Sequence, residues 1–127
     1  MAGIVVRDAH FPGRAPVDSY GNGGFRFAGM SHRGAILCLP SGIYGWQAPA
    51  AGIDRDSLAR VFEEAAEIEV LLIGTGREML MLAPDLAAAL REARIVADTM
   101  STGAAVRTYS VLLAEDRAVA AALVAVD

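Results

Sequence analysis

IEVLLIGTG, residues Ile68 to Gly76, is the stretch on which the fold turns. Val70, Leu71, Leu72 and Ile73 form an apolar run between Glu69 and Gly74, the pattern of a strand covered on both faces. It is expected to be the central strand. Gly74, Thr75 and Gly76 then make the turn where a nucleotide-binding loop would begin.

The segments on either side alternate in type. Upstream, Asp54 and Asp56 supply an acidic helix start, and Leu58, Val61, Phe62 and Ala65 recur on one face, which predicts a helix from Asp56 to about Ala66. Downstream, Glu78 to Leu82 reads as a strand or extended connection, and Pro84 opens a helix with Leu86, Leu90 and Ala93 on its apolar face. Ile95 to Ala97 is expected to be a buried strand ending at Asp98. Ser101, Thr102 and Gly103 then lead into a third helix lined by Val106, Tyr109 and Leu113. The run AVAAALVAV, Ala118 to Val126, is ambiguous, because alanine favours helix while the valines and short length fit a buried strand; strand is chosen. Helices and strands in this order imply a layered α/β domain with mainly right-handed crossovers, whose ligand crevices form beyond the carboxyl ends of the strands.

The amino-terminal third has a different texture. Residues 1–16 read as an irregular lead-in with a short strand at Ile4 to Val6, and residues 17–127 as one α/β domain. Val17 to Tyr20, the turn Gly21 to Gly24, and Phe25 to Phe27 form a β-hairpin preceding that core. Gly29 to Gly34 is expected to be a turn, Ala35 to Leu39 a strand stopped by Pro40, and Pro40 to Pro49 a loop carrying Tyr44 and Trp46 between glycines.

Composition excludes several chemistries. All 11 basic residues are arginine, so a P-loop lysine, a Schiff-base lysine and a lysine general base are ruled out. Cys38 is the only cysteine, which removes an internal disulfide or a multi-cysteine metal cage. With His10 and His32 the only histidines, a three-histidine metal site is excluded, while a carboxylate-assisted or intersubunit one is not. A net charge of -4 without a basic run argues against nucleic acid as a partner. The apolar run Ala118 to Val126 is less than half the ~20 residues a membrane span needs, and Ile4 to Val6 is too short for a signal peptide, so a cytoplasmic address is expected.

Four separated motifs carry a resemblance: YGNGGFRFAG at Tyr20 to Gly29, LPSGIYGW at Leu39 to Trp46, LLIGTG at Leu71 to Gly76, and STGAAVRTYSVL at Ser101 to Leu112. Together they resemble domain-of-unknown-function family 498, which includes the mitochondrial complex I assembly factor 3 and the adipogenesis-associated domain protein. The resemblance runs from about Val17 to the end. It implies a three-layer α/β fold with a mixed central sheet, no established catalytic residues, and, through the assembly-factor branch, a role in bringing a respiratory complex together. The mitochondrial transit segment of such relatives is not seen.

Each candidate site has a plainer competitor. A dinucleotide fingerprint needs a third glycine where Met79 stands, so GTG reads first as a tight turn. Ser31 and His32 are neighbours in GMSHRG, and Ser41 follows Leu39 rather than glycine, so neither is a nucleophile elbow. Cys38, inside an apolar strand, reads as packing. Glu63, Glu64, Glu67 and Glu69 read as a solvated face. Arg26, between Phe25 and Phe27, faces away from both, into water or into a pocket beside the sheet. Ser101, Thr102 and Gly103 could receive an anion at a helix start, although ordinary capping explains them equally well. Tyr44 and Trp46 suit an interface or a covered loop.

Two functions are therefore expected to compete. The first is a non-enzymatic interaction or assembly protein with an unidentified protein partner and no cofactor, using Arg26, Ser41, Tyr44 and Trp46. The second is a small-molecule or anion-binding module, or an enzyme, with a pocket formed by Gly74, Thr75, Gly76, Ser101, Thr102 and Gly103.

Overall fold

A computed structural model describes residues 10–49 and 52–127. Nine strands and three helices follow in the order β1 (Phe11–Pro12), β2 (Val17–Gly21), β3 (Gly24–Phe27), β4 (Met30–Arg33), β5 (Ala35–Leu39), β6 (Gly42–Trp46), α1 (Ala59–Glu63), β7 (Val70–Gly74), α2 (Pro84–Glu92), β8 (Val96–Met100), α3 (Thr102–Ala114) and β9 (Val119–Leu123). Short 3₁₀ turns, Asp56–Leu58 and Ala65–Glu67, extend α1 at both ends, so the expected helix is a composite one. The strand expected at Ile4 to Val6 lies outside the described residues.

Six strands form a mixed sheet in the order β1-β6-β5-β9-β7-β8. β7 runs parallel to both β8 and β9, while β5 is antiparallel to β9 and β6. β7 thus has a neighbour on each side, and Leu71, Leu72 and Ile73 are at most 2% exposed, as a mid-sheet strand requires. The last apolar run is strand too, since Val119 to Leu123 sits between β5 and β7 with all five residues buried. Alanine serves there because two layers press on it from opposite faces.

Alternation divides the core in two. On one face Ile36, Cys38, Ile43, Leu72, Val119, Ala121 and Leu123 pack with Phe25, Phe27, Val106 and Tyr109. On the other, Leu37, Leu39, Trp46, Leu71, Ile73, Ala120 and Ala122 pack with Leu58, Val61, Leu86 and Leu90. The layers are therefore α1 and α2, the six-stranded sheet, and α3 beside a second sheet. α2 connects β7 to β8 on one face, and α3 returns from β8 to β9 on the other. Opposite directions on opposite faces give both crossovers the same hand.

Four local expectations are corrected. Gly29 to Gly34 is not merely a turn: Met30–Arg33 is a strand that adds to the expected β2-β3 hairpin and makes a three-stranded antiparallel sheet. Residues Gly42–Trp46, expected in a loop, form β6, fully paired with β5. The strand after α2 begins at Val96 and lies at the sheet edge, with Val96 63% exposed; the buried residue is Ile95, just before it. The end of the lead-in is ordered against the sheet, with Phe11 paired to Ile43 and the Gly13 amide donating to the Ser41 carbonyl. Glu78 to Leu82 is an extended connection without regular structure.

Candidate functional site

The carboxyl ends of the three parallel strands, Gly74, Met100 and Leu123, lie side by side. β7 and β8 then send their chains to opposite faces, the geometry that opens a ligand crevice in many α/β sheets. All six residues of the expected pocket meet here. Thr102 closes the crevice, while Thr75, Gly76, Ser101 and Gly103 line the depressions left beside it.

Thr102 is the plug. Its side chain is fully buried; Oγ1 accepts from the Gly76 amide at 3.0 Å and donates to the Val124 carbonyl at 2.7 Å. The Thr102 amide donates to the Gly76 carbonyl at 2.7 Å. Gly74 is glycine because a Cβ there would stand 2.9 Å from the Thr102 Cα, a contact that side chains do not tolerate. Thr75 is also occupied: its amide donates to the Met100 carbonyl at 2.9 Å, and its Oγ1 donates to the Glu78 carbonyl at 2.6 Å and accepts from the Leu80 amide at 3.0 Å. Ser101 caps α3, accepting from the Ala104 amide at 3.3 Å. The chain beyond β9 crosses the same end, with the Val124 amide on the Gly74 carbonyl and the Val126 carbonyl on the Gly23 amide.

Three depressions lie at this end: one, of about 410 Å³, is lined by Thr75, Gly76, Arg77, Glu78 and Leu80 with the last three residues, and two more lie beside it. One, of about 470 Å³, is lined by Tyr20, Arg77, Ser101, Gly103 and Arg107 together with the last two residues. Tyr20 packs so closely on Gly103 that a Cβ there would collide with the phenol oxygen. The other, of about 310 Å³, is largely apolar, formed by Ala48, Pro49, Ile53, Leu80, Leu82 and Val124. Leu80 and Met81 line it, 60% and 83% exposed, and Met79 just before them is 53% exposed. Sequence reading takes Met79 as evidence against a glycine fingerprint and Glu78 to Leu82 as a strand or extended connection, and assigns this triplet no surface. Its signal was the absence of any helical or strand periodicity that could bury three consecutive apolar side chains.

The residues expected at an interaction surface separate. Ser41 and Tyr44 lie together: Ser41 Oγ donates to Glu64 Oε2 at 2.5 Å and is 2.6 Å from the Tyr44 hydroxyl, while the Ser41 amide donates to Glu64 Oε1 at 3.0 Å. The Arg60 guanidinium covers the Tyr44 ring at 4.1 Å. Trp46, by contrast, is a core residue, 8% exposed, with Nε1 donating to the Ser57 carbonyl at 2.8 Å. Period-2 alternation in β6 turns Trp46 and Tyr44 toward the helical layer, where Trp46 is buried and Tyr44 half-buried. Arg26 faces outward from β3 between Ser19 and Ser31, in a shallow depression of about 410 Å³. The four glutamates do not act as one cluster, since Glu64 holds Ser41 and Glu69 pairs with Arg117 at 3.3 Å.

Cys38 is fully enclosed between the sheet and Tyr109, and burial pushes its thiol up to about 12. Burial likewise raises the Tyr109 hydroxyl, with Cys38 adding to the effect. Neither group is an activated nucleophile. An unfolded thiol ionises near 9, so the unfolded chain releases this proton first as pH rises. The contribution of Cys38 to stability is complete below pH 9 and is lost between 9 and about 12. Denaturant titrations should show stability falling across that window, and Cys38→Ala should flatten the fall; an unchanged slope would contradict the assignment.

The sequence profile of a protein family of unknown function, DUF498/DUF598, matches residues 17–124. The chain belongs to this family. An uncharacterised protein of Rhodobacter capsulatus is 38% identical to it over 120 residues, 94% of this chain and 92% of that one. The mouse NADH dehydrogenase (ubiquinone) 1 alpha subcomplex assembly factor 3 is 28% identical over 122 residues, 95% of this chain but 66% of the longer mouse protein. The crystal structure of an outer membrane protein from Bartonella henselae is 64% identical and superposes with a TM-score of 0.90 over 93% of this chain and all of that one. The fold is thus shared with that solved structure, and the mouse relative is named an assembly factor. Among the described residues no helix is long and apolar enough to cross a membrane.

Proposed function

We propose that this family member is a non-catalytic interaction protein that assists assembly of an NADH:ubiquinone dehydrogenase, holding a subunit against the Met79–Met81 segment. The observation that carries the reading is this exposed apolar triplet beside an apolar groove. Three large apolar side chains in water are an energetic liability in a free monomer and a ready contact for a partner. The partner class comes from the mouse assembly factor, which aligns with 95% of this chain. Ser41, Tyr44 and Arg26 remain candidate polar contacts, with Trp46 supporting β6 from beneath.

The competing reading, an anion-binding module or an enzyme at the strand ends, has weaker support, because Ser101, Thr102 and Thr75 already engage backbone groups. Deletion of the gene in the native cell tests the proposal. The expected result is loss of assembled dehydrogenase from native gels of the membranes, restored by the wild-type chain and not by a Leu80→Glu/Met81→Glu variant. Both substitutions lie on exposed positions, so the variant's melting temperature should stay within a few degrees of wild type.

A further inference from the structure

The two histidines, 22 positions apart in sequence, meet in space with ring centroids 4.8 Å apart and planes inclined by 46°. His10 is held at the sheet edge by its backbone amide, which donates to the Ile43 carbonyl at 2.8 Å. His32 lies in β4, where Met30 and His32 are half-buried and Ser31 and Arg33 exposed. Strand alternation therefore turns His32 toward the large sheet and sends Arg33 the other way. Beneath both rings is Gly45 of β6. A Cβ at Gly45 would stand 3.1 Å from His32 Cε1, 3.2 Å from His10 Nε2 and 3.5 Å from His32 Nε2. The space left by the missing side chain is thus flanked by an Nε2-bearing edge of each imidazole ring.

We propose that His10 and His32, over Gly45, form a bidentate site for a borderline divalent transition metal ion of the Cu(II), Ni(II) and Zn(II) class. With metal–nitrogen bonds of about 2.0–2.1 Å, two imidazoles on one tetrahedral ion place their ring centres roughly 5 Å apart. The 4.8 Å separation already meets that requirement. Imidazole suits these ions, whereas Mg(II) and Ca(II) demand oxygen ligands. Among the described residues no set of three or more His, Cys, Asp or Glu is placed to hold an ion. Water or an added ligand completes the coordination, and Cu(II) should bind more tightly than Ni(II) or Zn(II). The bound ion would fasten the chain entering β1 to β4, which β-sheet pairing alone does not connect.

Calorimetric titration of the chelator-treated full chain with Cu(II), Ni(II), Zn(II) and Mg(II), paired with imidazole NMR during the Zn(II) titration, tests the site. The expected result is one ion per chain for the first three and none for Mg(II), with the signals of both histidines shifting together. His10→Ala and His32→Ala should each weaken binding by roughly tenfold or more, since even outer partners of a metal site are worth that much. Gly45→Ala, which places a methyl group between the nitrogens, should weaken it as well. Absence of binding, or binding as tight as wild type in both histidine variants while they remain folded by thermal melt, would overturn the proposal.

Discussion

Replacing Ile73 with alanine is expected to destabilise the protein by about 2–5 kcal/mol, the cost of emptying a large buried aliphatic site. Ile73 is fully buried on β7, packed among Leu37, Leu39, Leu86, Leu90 and Ala122. β7 is bonded on both sides, so the backbone around a cavity there has little freedom to collapse. For a chain of 127 residues the melting temperature should fall by roughly 10 °C or more. Ile73→Val, which removes one methylene, should cost only about 0.5–1.5 kcal/mol. Equilibrium denaturation of the pair checks the ratio, and equal losses would mean that β7 is not the packed centre of the sheet.

Thr102→Val carries the second large effect. The substitution preserves shape but removes the hydroxyl that serves two backbone groups, the Gly76 amide and the Val124 carbonyl. Each buried group left without a partner costs about 1–3 kcal/mol, so a total loss of about 2–4 kcal/mol is expected. Thr102→Ser, which keeps the hydroxyl and loses one methyl group, should retain most of the stability. The comparison separates a structural plug from a ligand contact. If the strand ends formed a ligand pocket, Thr102→Val would leave the melting temperature near wild type and change small-molecule binding instead.

What the sequence disclosed follows from how local each signal is. VLLI between Glu69 and Gly74, Pro84 at a helix start and Ser101 before a helix each announce themselves within a few residues, and all three take the expected places. The AVAAAL strand was harder, because alanine runs favour helix in isolation and only burial between two layers reverses that preference. β4 and β6 were missed for related reasons. MSHR is polar and buries only half its residues, while GIYGW is interrupted by glycine at the position where the histidine rings need space. The edge position of β8 depends on strand order, which no window of sequence contains.

The candidate site shows the same division. That Gly74 to Gly76 would meet Ser101 to Gly103 was legible, since both follow strands of one sheet. That Thr102 would fill the gap was not, because the same hydroxyl that caps a helix or meets an anion can bond to the backbone of a neighbouring turn. Likewise, Trp46 belongs to the core because β6 turns it inward, and the accessible apolar surface lies at Met79 to Met81 instead.

The measurement that bears most directly on the proposed role is complementation of a gene-deleted native strain, read as assembled NADH:ubiquinone dehydrogenase on native gels. Restoration by the wild-type chain and by Thr75→Ser, together with failure of the folded Leu80→Glu/Met81→Glu variant, is the predicted result. Unchanged dehydrogenase levels in the deleted strain, or full restoration by the Leu80→Glu/Met81→Glu variant, would contradict it.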